Sequence, residues 1–306
     1  MERPSLERRA SLVAHGFSDY ELRRGVRSGE LFRIRRGSYL TSPVPANASE
    51  RHCLAIRAAA PDLAESSVAS HASAAVLHGL PLWGLPLNRV HVTKSRTYGG
   101  RRTPRLHVHV ARLDPDEVVL ADGVRVTTAA RTVVDLARCL PFEAAVVLGD
   151  AALASGITTP EELTDMVRRS ARRPGAGRAR RAVSFLDGRS ESVGESRSRV
   201  HLARVGLPPP LPQWEVRDAD GVTVGRGDFG WPERKVIGEF DGRAKYGRLL
   251  KPGERPADAV YREKLREDAL RSLGCTVIRW TWHDLEDLEA FAAVARRLRT
   301  ALAISD

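Results

Sequence analysis

Cysteine is scarce in this chain: of 306 residues only three are cysteines, Cys53, Cys139 and Cys275. They lie far apart and form neither a metal-binding nor a redox spacing, so they are expected as reduced core residues of a cytosolic protein. Long apolar runs are lacking too, and none approaches the ~20 residues of a membrane span. The first residues, MERPSLERRASL, are charged where a secretory signal is apolar. A soluble, cytoplasmic protein with no membrane partner is expected. Acidic residues are also in deficit, with Asp+Glu at 38 against Lys+Arg at 49, a formal net charge of +11 and a pI near 10.2. Such an excess favours polyanionic partners, nucleic acid first. The length exceeds one ordinary domain, so two or three units are expected, each with its own core.

What is present is organised around Val222 to Gly242, VTVGRGDFGWPERKVIGEFDG. Apolar residues flank each acid, and WPER interrupts the pattern as a turn, which reads as a β-hairpin. With Glu233 and Arg234 at the tip, Asp228 falls directly opposite Glu239, Cβ atoms about 4.5–5.5 Å apart. Asp241 shares a face with Glu239 because strand side chains alternate. Carboxylates gathered on one face repel one another and need a cation; hard oxygen donors at this density suit Mg²⁺ or Mn²⁺. The alternative is a surface ribbon with its charges in water, against which the apolar residues of VIGEFDG argue for burial on at least one face.

In chain order, residues 5–15 read as a short helix that HGFS breaks. Ser18 and Glu21 then form a capping box ahead of a helix, DYELRRGVRSG, that carries Arg23, Arg24 and Arg27. ELFRIRRGSYL follows as a basic β-ribbon, giving the helix, turn, helix, wing order of a winged helix. Over roughly residues 1–45, GFSDYELRRGVRSGELFRIRRGSYL resembles the N-terminal DNA-binding domain of AbiEi-type antitoxins. The resemblance implies duplex DNA contact through Arg23, Arg24 and Arg27, with Arg33, Arg35 and Arg36 on the wing, and leaves open a toxin or defence-system partner.

Residues 46–165 read as a mixed α/β middle region. SVASHASAAVLHG, 67–79, is expected as a helix with His71 and His78 on one face, in packing or capping roles. NRVHVTK, RLHVHVARL, EVVLADG and VRVTTA alternate as strands, placing His107 and His109 on one face, as polar-side residues first and a metal pair only as the lesser alternative. This region is similar to the middle of antitoxin-like proteins of the same type. Helices are expected at 128–138 and 142–155, and another begins at the Thr159, Pro160, Glu162 capping box. From 166 to 190 the chain concentrates seven arginines between Arg168 and Arg181, interrupted by PGAG. That composition suggests a basic linker suited to phosphate-backbone contact or to solvation alone.

Residues 191–306 give helix 192–205, strands near 213–218, 223–229 and 235–241, helix 257–273, strand 275–281 and helix 284–302. The last helix carries Leu285, Leu288, Phe291, Ala295, Leu298 and Leu302 on one stripe. The fold class expected for the chain is therefore α+β, with a C-terminal αβββαβ domain. ESRSRVHLARVGLP, GRGDFGWPERKVIGEFDG and YREKLREDALRSLGCTVIRW, with their spacing, resemble the PD-(D/E)XK restriction-endonuclease-like superfamily, in particular its Vsr-like (very-short-patch-repair) branch. By that resemblance Asp228 and Glu239 are the metal-binding acids. Asp241 stands where the superfamily has its lysine, and Lys245 in FDGRAKYG is the candidate for a displaced one, able to orient water or stabilise phosphorane charge. Glu195 resembles the extra acid of such sites, although Ser192 and Glu195 also form a capping pattern. Arg262 and Arg266 are placed to reach phosphate, to neutralise the acids, or to pair with Glu263 and Glu267.

The reading of the whole is a DNA-binding, Mg²⁺- or Mn²⁺-dependent endonuclease. The alternative is a non-catalytic, antitoxin-like transcriptional repressor built on a degenerate nuclease fold.

Overall fold

A computed structural model of the chain describes residues 5–64, 66–242 and 256–304. The protein is a mixed α+β structure with three separate sheets. Its contacts divide the chain into two units, one of residues 1–140 with 157–181 and the other of 141–156 with 182–306. The expected boundaries at 45, 165 and 190 do not coincide with that division. No helix among the described residues is long and apolar enough to cross a membrane.

The first unit opens with β1 (Leu6–Arg8), α1 (Arg9–Ala14), α2 (Asp19–Ser28), β2 (Phe32–Arg35) and β3 (Ser38–Leu40), the strands forming one sheet in the order β1-β3-β2. Ser18 and Glu21 close the capping box that starts α2, and Gly29, at φ 80°, ends it in the left-handed conformation that favours glycine. Leu12, Leu22, Leu31 and Tyr39 make the small core beneath. The expected helix at 5–15 is thus shorter, because Leu6, Glu7 and Arg8 pair with Leu40, Tyr39 and Ser38 as a strand.

After α3 (Ala48–Ala59), the strands β4 (Ser67–Ala69), β5 (Val90–Lys94), β6 (Arg101–Arg102), β7 (Leu106–Val110), β8 (Val118–Ala121) and β9 (Val124–Thr127) make a sheet ordered β6-β7-β5-β4-β9-β8. The helix expected over 67–79 is in fact β4 followed by α4 (His71–Leu77). Val68 and Ala69 are buried between β5 and β9, and that burial overrides their place in an alanine-rich run. α5 (Ala129–Ala137), α6 (Phe142–Ala154) and α7 (Pro160–Arg169) fall where expected, α6 belonging to the second unit.

The arginine-rich stretch expected as a linker is structured: α7 runs to Arg169 and α8 spans Ala176–Val183. Ala176, Ala179 and Ala182 are buried at helical spacing. Arg169 is held by Asp114 and Asp116 at 2.8–3.0 Å, and Arg173 donates to the Arg112 carbonyl at 3.1 Å.

In the second unit, α9 (Val193–Arg204), β10 (Leu211–Arg217), β11 (Thr223–Trp231), β12 (Val236–Asp241), α10 (Pro256–Ser272), β13 (Thr276–Thr281) and α11 (Leu288–Leu302) follow one another as the sequence predicts. The sheet runs β10-β11-β12-β13, antiparallel twice and then parallel. One face of it buries Phe229, Trp231, Val236, Phe240 and Trp280 against Leu202 of α9 and Phe291, Val294, Ala295, Leu298 and Leu302 of α11. On the other, Ile237 meets Val216, Leu270 of α10 and Cys275. Gly194 fixes the approach of α9, since a Cβ there would lie 1.9 Å from the Phe240 ring. Two expectations fail locally. Leu288 is 45% exposed, because it is the first residue of α11 and precedes the stripe that reaches the core. Cys139, just beyond α5, is exposed, whereas Cys275 is buried.

Candidate functional site

The turn at Pro232–Arg234, closed by Lys235 at φ 51°, sets the pairing of the hairpin. Phe229 lies opposite Gly238, Gly230 opposite Ile237 and Trp231 opposite Val236. The same register carried one residue further puts Asp228 opposite Glu239. Side chains alternate along each strand. With Phe229, Val236 and Phe240 turned to the larger core, Asp228, Glu239 and Asp241 share the other face with Ile237.

That face is not left to carboxylate repulsion. Arg279 sits beside Glu239 across the parallel β12/β13 pair and donates to its Oε2 at 2.8 Å, while Arg266 of α10 donates to Oε1 at 2.6 Å. Arg279 also holds Glu267 at 2.7 Å, and Glu267 holds Arg271. Burial works against the Arg279 charge, but the bonds to Glu267 and Glu239 outweigh it and raise its pKa. Hydrogen bonding to Arg279 in turn lowers the pKa of Glu267. Asp228 accepts the Phe240 backbone N–H at 2.7 Å through Oδ2, which locks its carboxylate to the partner strand. Asp241 is half-buried and makes no side-chain hydrogen bond or ion pair with any described residue. Arg266 thus acts as one of the three roles open to it in the sequence, the neutralising one.

Glu195 has partners of its own. It lies in the first turn of α9, which packs on the Phe240 face, and it is buried. Its oxygens accept from the Glu191 N–H at 2.8 Å, Ser192 Oγ at 2.7 Å and Gln213 Nε2 at 2.8 Å. Those bonds cap the helix and tie it to β10, and among the described residues none joins Glu195 to the three acids. Lys245 lies outside the described residues.

The basic face expected at the N-terminus is largely present. Leu22 and Gly25 turn inward from α2, leaving Tyr20, Arg23, Arg24 and Arg27 exposed. Arg33 and Arg36 are exposed on the β2–β3 ribbon. Arg35 is drawn aside to Asp62 at 3.1 Å, and the pairing of β2 with β3 shifts register between Arg33 and Arg35. The strict alternation expected of the ribbon is therefore broken by a bulge.

A second cluster was only half visible in the sequence. His107 and His109 share a face of β7 as expected, but His91 of β5 and His71 of α4 join them. His78 is not part of it and donates from Nε2 to the Thr127 carbonyl, 2.7 Å away, as a packing histidine. The signal for His91 was the parallel pairing of β5 with β7, which strand alternation within either segment does not reveal.

In class, then, this is an α+β protein in two units. No family model matches the chain. Two uncharacterized proteins of Mycobacterium tuberculosis, MT2308 of strain CDC 1551 / Oshkosh and Rv2248 of strain ATCC 25618 / H37Rv, are each 28% identical to it over 278 residues, covering 90% of this chain and 95% of theirs. Among solved structures it is similar to the RV2827C protein of Mycobacterium tuberculosis, at 16% identity and a TM-score of 0.41, over 64% of this chain and 76% of that one.

Proposed function

We propose that this chain is a DNA-binding protein whose N-terminal winged helix holds duplex DNA and whose C-terminal unit is a metal-dependent endonuclease of the PD-(D/E)XK kind. The observation that carries the reading is the placement of Asp228, Glu239 and Asp241 on one face of the hairpin, within a helix, three-strand, helix, strand order. The donor set is hard oxygen, which fits Mg²⁺ or Mn²⁺. Asp228 and Glu239 would hold the ion, with Asp241 beside them. Bound there, it would polarise the scissile phosphate and acidify water for in-line attack on the phosphodiester.

The residues of the chain have their own parts. Phe240 N–H orients the Asp228 carboxylate. Arg266 and Arg279 hold both oxygens of Glu239, and once a metal takes that carboxylate their guanidiniums are available to phosphate oxygens, which they match geometrically. Lys245 is the proposed partner of the attacking water. Arg23, Arg24, Arg27, Arg33 and Arg36 contact the backbone of the duplex, making affinity steeply salt-dependent.

The test is cleavage of plasmid DNA by the full chain with Mg²⁺ or Mn²⁺. Nicking is expected, reduced about 10²–10³-fold by Asp228→Ala, the scale on which removal of a charge-stabilising group acts. Intact plasmid, with metal titrations the same for the wild type and Asp228→Ala, sinks the reading. One observation favours a second reading, an antitoxin-like repressor on a non-catalytic scaffold: both Glu239 oxygens are already held by guanidiniums, and Asp241 occupies the lysine position. Sequence-specific mobility shifts without cleavage would select it.

A further inference from the structure

The imidazoles of the first unit are arranged by the sheet rather than by chance proximity. β5 and β7 pair in parallel with His91 beside His107 and Thr93 beside His109. Residues two apart on a strand share a face, so His107 and His109 stand together with ring centroids 3.8 Å apart. His91 reaches across until its Nδ1 is 3.0 Å from Nε2 of His109. One ligand nitrogen from each of His91, His107 and His109 can be chosen so that all lie within 4.8 Å of one another, the only such grouping of three or more His, Cys, Asp or Glu side chains among the described residues.

His71 closes the cluster. Its ring stacks on that of His109 at 3.7 Å and 13° between planes. It does so from a backbone φ of 50°, a left-handed conformation that a non-glycine residue holds only when its surroundings require it. Its Nδ1 is 3.1 Å from Ser70 Oγ, which accepts from Thr93 Oγ1 at 2.8 Å, so the ring is oriented by a hydroxyl relay. Outer contacts of this kind orient ligating histidines in metal sites.

The geometry points to a binding site for a divalent transition ion, zinc or a metal of similar preference, held by the ring nitrogens of His91, His107 and His109 beneath His71. Around one zinc ion, with Zn–N bonds of about 2.0–2.1 Å, tetrahedral ligand nitrogens stand about 3.3 Å apart. The His91–His109 pair is already near that spacing, at 3.0 Å. Three imidazoles leave a fourth position open to water or to a small anion. Nitrogen donors exclude Mg²⁺, which takes oxygen, so this site and the carboxylate face of the second unit differ in the metal they select. Burial first, and then His71 and His107, push His91 down to about 3, while burial first, with Arg131 and Arg138, pushes His71 down to about 4. The unprotonated form is the one a metal needs. Arg89 and Arg102 act against a cation at His107, and the Asp135 carboxylate acts for one at His71.

The experiment uses the full chain, stripped with a chelator and titrated with Zn²⁺ by calorimetry and with Co²⁺ by visible absorption. One equivalent of Zn²⁺ is expected. The Co²⁺ form should show the intense bands of a four-coordinate, nitrogen-ligated ion, and the metal should raise the melting temperature of the wild type. His109→Gln and His91→Gln, which keep side-chain volume, should each weaken binding by at least about 100-fold, while His15→Gln should not. Asp228→Ala should leave this equivalent in place, which separates it from any metal on the acids. Absence of a stoichiometric equivalent in the wild type, a Co²⁺ spectrum of a six-coordinate aquated ion, or binding that survives both histidine substitutions overturns the assignment. The wild-type spectrum and melting shift decide the matter even if a variant fails to fold.

Discussion

The acids on β11 and β12 and the imidazoles on β5 and β7 pose one electrostatic problem, like groups gathered on one sheet face, and the protein meets it in two ways. On the carboxylate face, acid is matched by base: Glu239 lies between the guanidiniums of Arg266 and Arg279. On the histidine face, charge is refused: burial and mutual repulsion hold the rings neutral, His109 down to about 2. Carboxylates with guanidinium partners remain competent for hard cations or phosphate chemistry only if the partners can leave. Neutral rings carry no counter-ion that must first leave. The difference makes the arginines, rather than the acids, the residues that decide what the second unit can do.

Whether an arginine is a removable counter-ion or part of a core depends on its burial, and the chain holds one of each kind. Arg131 is fully buried between Glu117 at 2.5 Å and Asp135 at 2.6 Å. Arg131→Ala removes the one fully buried guanidinium between them, leaving Glu117 with Arg169 at 3.2 Å and Asp135 with Arg138 at 2.7 Å, and the expected loss is about 3 kcal/mol in urea unfolding of the full chain. Arg279 is 36% exposed at its side chain. Arg279→Ala is expected to cost about 1 kcal/mol or less, as exposed pairs do. Equal losses for the two would break the contrast, since Arg279 would then be structural and Glu239 permanently held.

A smaller effect sharpens the same point in binding. With Arg266→Met and Arg279→Met combined, Glu239 loses both guanidinium donors, and Mn²⁺ affinity at the acids is expected to rise about tenfold, or about 1.4 kcal/mol. Manganese titration followed by electron paramagnetic resonance reads this directly. An unchanged affinity would mean that the arginines do not compete with metal, and would favour the repressor reading of this unit.

How much of this was legible depends on which residues fix which others. WPER sets a turn, the turn sets the register, and the register sets Asp228 against Glu239, so the hairpin could be derived from its own letters. Caps at Ser18, Thr159 and Ser192 are equally local. Arg279 beside Glu239 was not derivable, because β12 and β13 pair in parallel across a long connection whose length leaves their register free. His91 escaped for the same reason on β5 and β7. The arginine-rich stretch misled because charge and PGAG dominate its composition, yet Ala176, Ala179 and Ala182 carry the helical period that places it against a core.

The last consequence is a separation of the two units by acid, modest in size, alike in sign and distinct in window. In the metal-free protein His91 and His109 sit far below the ordinary 6.5, through burial first and then through the charges of neighbouring rings. His71, His107, His52, Arg89 and Arg138 face them with positive or protonatable groups, Arg102 faces His107, and Asp135 sets a negative one near His71. The unfolded chain therefore binds protons first as pH falls through about 6.5, and stability of the first unit declines from there toward the folded values. In the second unit, burial pushes the Glu143 pKa up, but His201 and Arg197 outweigh it and bring it from 4.5 to about 2. That carboxylate contributes its full stability above about 4.5 and loses it only as pH falls from there toward 2. Between the two onsets, from about pH 6.5 to about 4.5, amide exchange should quicken in β5 and β7 while α6 and α9 remain protected. Glu143→Gln should flatten the lower window and leave the upper one unchanged, whereas simultaneous loss of protection in both units would show that one cooperative transition joins them.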